Sequence, residues 1–520
     1  MSLSVAATVC SPRLRVPSEH LGILVDPTAA QVRDMLARAG SDNLQNISIL
    51  DRPLAQWRAQ LRRRLNLAGP VVVTGHQPEF FHAGVLAKLI AVWKLATTTG
   101  GSAVFLSVDA DMPKHGGVIV PQRADDDLRR VEIALPGYDP RQTYEDQADM
   151  PQEKWSEFFS RVAMLYEHSD TSLLPAFSEA WLGGGTDEIN FCDAISRGRA
   201  ALEQTLGLDG ITELRISQLC DSPEFRAFAR HLMLHAPRLA GDYNTALADY
   251  RRRHRLRSPL RPVPALATSG ELTEVPLWIS RSAEPRRRLY VSHVGDMVRV
   301  FADRQLVGEF AKADLAAVDA PWRFEAEGWR LRPRALTLSA FARLFLADLF
   351  IHGVGGARYD EITDDYLRRF LNVTPPPMCT VSATLHLPLP RTNVSRSDLL
   401  AARRQSRDIH FNPQRYITDI LAEMLRRRQE LIKQSDELFA AGSRDRSTRR
   451  QVFDGIRQLN ADILKLAPQR ASDLAQQART LEQHWQHDQI ATDREYFVAL
   501  HSKESLEELV TRLSQQLETS

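Results

Sequence analysis

Apolar residues along the first third of the chain follow two different spacings, and their order predicts a parallel βαβ unit. Val71, Val72 and Val73 form a continuous apolar run that ends in Thr-Gly-His-Gln-Pro, which is typical of a buried strand followed by a tight turn. A largely apolar helical pattern covers 84–97, and 101–111 holds a second apolar run with an acidic end. Because a helix joins two strands of this buried type, we expect the strands to lie parallel in one sheet.

The pattern changes on both sides of this unit and divides the chain into segments. Residues 1–66 contain two short amphipathic helical patterns and are predicted to form a helical leader. Residues 67–395 are predicted to hold an α/β core, which inserted segments interrupt over about 125–332. The insert is helical in pattern up to residue 260. From 270 to 332 it alternates apolar and polar residues between turns, which predicts an antiparallel meander.

The last quarter of the chain has a heptad pattern. From Ile417 to Leu438, and again from Val452 to Trp485, apolar residues recur mostly at steps of three and four. Two long amphipathic helices joined by a polar turn predict an antiparallel helical hairpin, a coiled coil within 396–489 that serves assembly. Residues 490–520 are expected to return to the core as an edge strand followed by a short helix.

Composition limits the classes of protein that fit. A chain of 520 residues exceeds one ordinary core, and a net charge of +1 gives no overall field that would attract nucleic acid or an anionic membrane. Lys88 and Lys94 interrupt the longest apolar segment, so no membrane-spanning helix is expected. The start lacks a basic leader, and the cysteines lack metal-ligand or disulfide spacing, which indicates a cytoplasmic protein. The cysteines are Cys10, Cys192, Cys220 and Cys379.

The turn after the first strand carries polar and small residues at the carboxyl end of a parallel strand, where open α/β sheets bind ligands. These residues are Thr74, Gly75, His76, Gln77 and His82, with Lys88 one turn into the helix. A helix N-terminus has unpaired N–H groups and a partial positive charge, and Lys88 adds a full charge. We predict a site for carboxylate or phosphate here, with His76 and His82 stabilising charge. The alternative that both histidines cap the helix or pack in the core stays open.

The second strand ends in an acidic cluster that contains Asp109, Asp111 and His115. Such groups bind Mg²⁺, orient an amine or act as acid or base, and Asp111 is the candidate metal ligand. In the alternative interpretation, both aspartates cap a turn. Zinc is not expected, because a third ligand with a recognised spacing is missing.

A third segment has a glycine-rich turn after an apolar run. Its glycines are Gly353, Gly355 and Gly356, and a helix is predicted to begin near Asp360 and Glu361. Because those acids would repel a bare phosphate, we expect the loop to bind an amine or hydroxyl, or a nucleotide through its backbone. A capped helix after a flexible turn is the alternative. A shared cleft would suit a substrate with anionic and amino groups.

These segments resemble those of the bacillithiol biosynthesis cysteine-adding enzymes, a family of cysteine ligases. The resemblance covers 71–96, 104–115 and 334–367, with the Pro-rich segment at 374–385 and the C-terminal hairpin in the same order. It implies a Rossmann-like core related to nucleotidyltransferases and a homodimer formed through the coiled coil. The family residues of the first loop map onto Thr74, Gly75 and Gln77, whereas His76 replaces a family glutamine. The second and third segments correspond to the acidic cluster and to the glycine loop.

The resemblance also implies an activity, the joining of cysteine to the amine of glucosaminyl malate as an amide. The carboxylate must then be activated, and ATP, with ADP as one product and Mg²⁺ on Asp111, is the simplest means. His76 and His82 would stabilise the activated group, and Asp109 or His115 would act as base. Two other functions stay open. One is nucleotidyl transfer to a sugar or phosphate, because 82–85 also resembles in part the His-x-Gly-His signature of nucleotidyltransferases. The other is a non-catalytic ligand-binding or scaffold protein.

Overall fold

A computed structural model describes residues 14–38, 44, 46–124, 127–185, 187–318, 320, 322–442 and 445–519 of the chain. Residues 1–13, with Cys10 and the segment considered as a leader peptide, lie outside the described residues. The chain divides into two compact units. The first comprises the described residues of Met1–Val120, Val131–Leu387 and Arg494–Ser520, and the second comprises those of Pro121–Arg130 and Pro388–Asp493.

The strands and helices alternate along the chain in a mixed α/β arrangement. The strands are β1 (Gly22–Asp26), β2 (Ser48–Ile49), β3 (Arg52–Pro53), β4 (Val71–His76), β5 (Ser102–Ser107), β6 (Gly117–Ala124), β7 (Asp127–Ala134), β8 (Met150–Pro151), β9 (Glu188–Ile189), β10 (Ile211–Arg215), β11 (Thr268–Ser269), β12 (Leu272–Ser280), β13 (Arg287–Val294), β14 (Met297–Ala302), β15 (Gln305–Ala311), β16 (Arg330–Pro333), β17 (Leu349–His352) and β18 (Met378–Thr384). The helices are α1 (Ala29–Ala37), α2 (Leu54–Arg64), α3 (Ala83–Thr99), α4 (Gln152–Leu165), α5 (Leu174–Leu182), α6 (Phe191–Thr205), α7 (Ile216–Cys220), α8 (Pro223–Leu234), α9 (Ala236–Arg253), α10 (Lys312–Ala316), α11 (Arg323–Ala326), α12 (Ala335–Phe341), α13 (Val354–Leu371), α14 (Arg396–Phe411), α15 (Ala422–Ala440), α16 (Arg446–Leu466), α17 (Pro468–Ala491) and α18 (Lys503–Thr519).

The main sheet of the first unit has the strand order β1-β18-β17-β4-β5-β10. Strands β18, β17, β4, β5 and β10 run parallel, and β1 pairs antiparallel with β18 at one edge. The chain goes outward from β4 to β5 and β10, then returns to build β17 and β18 on the other side of β4. The strand order therefore reverses between β4 and β17. At such a point the connections after the two strands run to opposite faces of the sheet, and a crevice opens at the carboxyl ends of the strands.

The βαβ unit predicted at 71–111 is confirmed as β4, α3 and β5. Val71, Val72 and Val73 are fully buried, which explains their continuous apolar run. Helix α3 is apolar around most of its circumference because it packs on β4, β5 and β18 and also on α18. Gly75 ends the buried part of β4 next to β5, where an added Cβ would lie 3.0 Å from the carbonyl oxygen of Leu106.

A buried charge network holds α2 against the start of β4 and β17. Arg58 and Arg62 donate to the two carboxylate oxygens of Asp348 at 2.7 and 2.8 Å, and the backbone N–H of Val71 donates to the same carboxylate at 2.7 Å. Arg58 also donates to two carbonyl groups of the π-helical turn between α12 and β17, and to that of Ala347 directly after the turn. The network fixes the positions of two strands whose carboxyl ends form the crevice.

The inserted segments match the predicted pattern in part, because β10, within the predicted helical insert, is a strand of the main sheet. Helices α4 to α9 occupy most of 152–253, and β11 to β15 form an antiparallel sheet in sequence order, with β16 paired to β12. The antiparallel meander predicted at 270–332 is therefore confirmed. Within the described residues, no helix combines the length and the apolar character that crossing a membrane requires.

The edge strand predicted near the C-terminus is wrong. Residues Val498–Leu500 form a single 3-10 turn, and α18 follows. Tyr496, Phe497 and the three residues of the turn are all buried, so the segment lacks the alternating exposure of an edge strand. Phe497 packs edge-on against Phe80, with ring centroids 5.0 Å apart, in a cluster of aromatic side chains.

The second unit contains four described helices, whereas two long ones were predicted. Helix α16 ends at Leu466 and α17 begins at Pro468, since a proline has no N–H to continue a helix and is tolerated in the first turn. Helix α15 packs against α16, and α14 packs against α17. Between α15 and α16, Arg428 donates to Asn460 at 2.8 Å, and this buried polar pair specifies the register of the two helices.

Candidate functional site

The carboxyl ends of β4, β5 and β17 border a cavity of about 410 Å³, a volume within the range of small-molecule sites. Each of the three segments selected from the sequence contributes to its wall. The contributing residues are Gly75, His76 and Gln77 from the first segment, Ala110 and Asp111 from the second, and His352 and Gly356 from the third. The tertiary structure thus brings parts of all three segments together at the point where the strand order reverses.

Another part of the wall comes from the inserted segments and from the helix that follows them. Trp278 of β12, Arg286 before β13, Arg334 before α12 and Tyr243 of α9 line it, together with apolar residues such as Leu336. The sequence analysis missed these residues. The alternation of apolar and polar residues predicted a meander. It does not predict which face of that sheet would contact a cavity formed by distant segments.

Asp111 is the acidic residue of the second segment that lines the cavity. Its carboxylate accepts hydrogen bonds from Gln77 Nε2 at 3.0 Å, Arg286 Nη1 at 3.0 Å and its neighbour's backbone N–H. The Arg286 guanidinium also lies over the Trp278 ring, 4.9 Å from its centroid. The carboxylate is therefore held between an amide and a guanidinium, each of which has further donors for a ligand.

The metal predicted at Asp111 finds no matching ligand set. No group of three or more His, Cys, Asp or Glu side chains in the described part of the chain is arranged to hold a metal ion. The guanidinium of Arg286 already balances the charge of Asp111. Mg²⁺ usually binds through one or two carboxylates together with water and substrate phosphates, so Asp111 as a metal ligand stays a prediction.

Asp109 and His115 do not reach the cavity, so their predicted roles as base are not supported by their positions. Asp109 is buried, and it accepts hydrogen bonds from both the backbone N–H and the hydroxyl of Ser217 at the start of α7. Burial raises the pKa of Asp109, although the bonds from Ser217 favour its charged form. His115 is exposed. Asp109 therefore fixes the start of α7, which lies 108 residues further along the chain, and does not cap its own turn by these bonds.

His82 is also a capping residue. It is the N-cap of α3, and its Nδ1 accepts a hydrogen bond from the backbone N–H of Gly84 at 3.0 Å. Burial and the charges of Arg494 and Lys88 lower the pKa of His82 to about 3, so the ring is neutral. It does not line the cavity, and its predicted role in stabilising an activated group is not supported.

Lys88 and Thr74 form hydrogen bonds to backbone carbonyl groups at the ends of β4 and β17. The Lys88 ammonium donates to the carbonyl oxygen of Gly75 at 2.7 Å, and burial together with the charge of Lys114 lowers the pKa of Lys88 to about 7. The hydroxyl of Thr74 donates to the carbonyl oxygen of Ile351 at 2.7 Å and joins β4 to β17. Neither side chain lines the cavity, so both act on the backbone of the site.

His76 is the histidine of the first segment that does line the cavity. Its Nδ1 lies 3.1 Å from the carbonyl oxygen of Gln77, which assigns the proton to Nδ1 and leaves Nε2 as an acceptor. Burial and the nearby charge of Lys88 hold the pKa of His76 well below its usual value. The ring is therefore a neutral hydrogen-bond acceptor for a donor on a ligand.

The helix of the third segment begins earlier than predicted, and this changes the roles of its acids. Helix α13 starts at Val354 after Gly353, which has no side-chain capping bond, so Gly355 and Gly356 form its first turn. Asp360 and Glu361 lie in the second turn, and both are buried.

Both acids are bonded within the protein and neither lines the cavity. Glu361 lies 3.1 Å from His254 Nε2. Asp360 Oδ2 accepts from Arg343 Nη1 at 2.7 Å and lies 2.9 Å from His352 Nε2. The predicted binding of a ligand amine by Asp360 and Glu361 is therefore wrong. The first turn of α13 is instead uncharged.

His352, which the sequence analysis did not select, is the titratable residue of this segment at the cavity. It ends β17, is nearly buried, and packs its ring on Phe350 with centroids 4.4 Å apart. The sequence did contain a signal for this residue. A histidine stands directly before a glycine-rich helix start and eight residues ahead of an aspartate. The described cysteines, Cys192, Cys220 and Cys379, are buried and unpaired, and none lines the cavity.

Comparisons of the sequence with protein-family models and with curated proteins found no match to this chain.

Proposed function

We propose that the sheet of the first unit is a Rossmann-like core and that the cavity is the active site of a ligase-like enzyme. The proposed reaction joins the carboxylate of an amino acid such as cysteine to the amine of an amino-sugar conjugate such as glucosaminyl malate. One observation carries the proposal: three segments far apart in sequence converge on one cavity at the reversal of strand order. Open α/β sheets bind their ligands at such a point.

The polar groups of the cavity suit a substrate that has both charges. Arg286 and Arg334 are the cations on its wall, and they are proposed to bind the carboxylate groups. Asp111 and the acceptor nitrogen of His76 are proposed to hold the amine. The apolar residues beside them limit the entry of water, which would hydrolyse an activated carboxylate.

ATP is the proposed activating co-substrate, since amide formation from a free carboxylate needs an acyl phosphate or acyl adenylate. The residues that would contact its phosphates are those of the first turn of α13, because this turn has free backbone N–H groups and no negative side chain. Mg²⁺ is proposed to arrive bound to the phosphates of ATP, which supply several of its oxygen ligands.

The second unit is proposed to form a homodimer of this cytoplasmic enzyme. Phe439 and Phe453, near the end of α15 and the start of α16, are 79% and 56% exposed. A contiguous exposed apolar patch marks a surface that binds a partner, so the proposal requires that these two side chains belong to one such patch.

Nucleotidyl transfer is a second candidate, and the uncharged, glycine-containing first turn of α13 favours it. Both reactions consume a nucleoside triphosphate, but they differ in their products. Nucleotidyl transfer releases pyrophosphate and forms no amide, whereas the proposed ligase forms an amide. A scaffold protein would bind none of the small molecules and would depend on its second unit alone.

A direct test incubates the purified protein with ATP, cysteine and glucosaminyl malate and detects the amide by mass spectrometry. We expect amide product, and we expect Asp111→Asn to lower its rate at least about 10-fold, because the bond of about 1.5–3 kcal/mol to a charged group is lost. Asp209→Asn, an exposed aspartate of the first unit, is the matched control and should keep the wild-type rate. Nucleotide turnover without amide would favour nucleotidyl transfer, and no turnover or thermal shift with any of these compounds would favour the scaffold.

A further inference from the structure

His352 has two ring nitrogens in different surroundings, and the difference gives it a specific chemical role. Its Nε2 lies 2.9 Å from Asp360 Oδ2 inside the protein. Its Nδ1 is on the side of the first turn of α13, 2.7 Å from the point where a Cβ on Gly356 would stand. Both His352 and Gly356 line the cavity. We infer that His352 is the general base of this site and that Asp360 is its positioning residue, an inference that rests on the proposed amide-forming reaction.

The protonation state of Asp360 determines which nitrogen of His352 carries the proton. Asp360 is almost fully buried, and burial alone would favour its neutral form, but the charge of Arg343 and the hydrogen bond from His352 favour the carboxylate, and its pKa lies below the usual range. Arg343 is itself fully buried and donates to the same oxygen at 2.7 Å. An ionised carboxylate is only an acceptor, so Nε2 must be the donor.

The Nδ1 atom of a neutral His352 therefore carries a lone pair. Among the described residues, the protein gives it no hydrogen-bond partner, since Asp360 is the only polar group bonded to the ring. A carboxylate that fixes a histidine tautomer and leaves the other nitrogen open to a ligand is the arrangement that serves general-base catalysis. His76 is the other histidine at the cavity, and its Nδ1 lies 3.1 Å from the Gln77 carbonyl oxygen and 3.4 Å from Glu79 Oε1. Burial raises the pKa of Glu79 toward the neutral form, whereas the Arg343 guanidinium bonds Asp360 directly and favours its ionised form.

The proposed step uses this nitrogen on an acyl group that a nucleoside triphosphate has activated. The amine nitrogen of one substrate attacks the acyl carbon of the other, and its electron pair forms the C–N bond. The C–O bond to phosphate or AMP breaks, and its electron pair leaves with that group. Nδ1 of His352 takes the proton that the amine nitrogen loses. Negative charge on the acyl oxygen is stabilised by the N–H groups of the first turn of α13.

The first experiment measures the tautomer directly. In protein labelled with ¹⁵N-histidine, the His352 resonances, assigned by their loss in His352→Gln, report which nitrogen is protonated. We expect a protonated Nε2 and an unprotonated Nδ1 in the wild type at neutral pH, and loss of this preference in Asp360→Asn. A wild-type protein with the proton on Nδ1 would overturn the inference without any effect on the proposed reaction.

The second experiment measures catalysis with cysteine, glucosaminyl malate and ATP. Because general-base catalysis contributes about 10²–10⁴-fold, His352→Gln should lower kcat by at least about 100-fold, with KM for each substrate within about threefold. His254→Gln is the matched control, since His254 also bonds a buried acid of α13 but does not line the cavity, and it should keep kcat within about twofold. Amide formation that persists at the wild-type rate in folded His352→Gln refutes the base. Absence of amide with the wild type refutes the proposed function, and the base role with it.

Discussion

Two adjacent glycines in the first turn of α13 allow the arrangement around His352 to be tested by stability alone. A Cβ added to Gly356 would lie 2.7 Å from His352 Nδ1 and 3.4 Å from its Cγ, whereas a Cβ added to Gly355 meets no atom within 4 Å. The imidazole cannot move away freely, because Asp360 holds its Nε2 and Phe350 packs on its face. Gly355→Ala is therefore a matched control for Gly356→Ala on the same helix turn.

The expected magnitudes follow from two opposing contributions. Replacing glycine by alanine within a helix stabilises it by about 0.5–1 kcal/mol, and both variants gain this amount. Gly356→Ala must also displace the ring and weaken the hydrogen bond between His352 and ionised Asp360, at a cost of about 1.5–3 kcal/mol. The helix contribution cancels between the variants, so Gly356→Ala should be less stable than Gly355→Ala by about 1.5–3 kcal/mol.

Urea unfolding followed by tryptophan fluorescence is a suitable assay, because Trp485 is the only tryptophan outside the first unit. We expect Gly355→Ala to unfold at a slightly higher urea concentration than the wild type and Gly356→Ala at a clearly lower one. In a His352→Ala background the two alanine variants should have nearly equal stability, since the clashing ring and its bond to Asp360 are absent from both. Equal midpoints for the two single variants would refute the close contact of His352 with α13.

Two further predictions concern the supports of the crevice. The pKa of Lys88 is lowered to about 7 from 10.5 in the folded protein. The unfolded chain therefore binds more protons between these two pH values. The free energy of unfolding should rise with pH across this window, by at most about 1.4 kcal/mol per pH unit. Lys88→Met should lack this rise, which urea unfolding at pH 7, 8 and 9 will measure. The same change in the free energy of unfolding with pH in both proteins would contradict a lowered pKa for Lys88. Asp348→Ala leaves Arg58 buried and unpaired, so it should lower the free energy of unfolding by about 3–5 kcal/mol, measured by urea unfolding. A loss below about 1 kcal/mol would mean that the network does not hold α2 to the strands.

Several parts of the fold and site could be predicted because their signals are local. The apolar run at 71–73, the glycine turn after it and the helical spacing that follows identified one βαβ unit. Parallel strands end at one edge of a sheet, so chemistry at the ends of β4, β5 and β17 could be expected to converge, and it does at Gly75, Asp111 and Gly356. The heptad pattern of the last quarter indicated helices and Pro468 interrupts it, but the resumed spacing predicted one long helix where the structure has two.

The start of α13 shows where local signals fail. Glycine is a weak helix former, so the sequence places the helix start after Gly356 and puts Asp360 at the positive end of the helix. In the structure, Val354 and Ala357 pack with Leu14, and this contact compensates for the glycines. The helix therefore begins earlier, and Asp360 turns into the protein toward Arg343.

The sequence by itself determined the periodic elements of this protein and the strand ends at which polar residues would gather. Only the tertiary structure decided which of those residues face the cavity. Asp109 and Asp111 are two residues apart, yet one caps α7 and the other meets Arg286, which is 175 residues further along the chain. Periodicity depends on neighbours within one or two turns of the chain, whereas burial and pairing of charge depend on whichever distant segment packs there. That choice is made by the whole folded chain, because a buried charge is stable only where a partner reaches it.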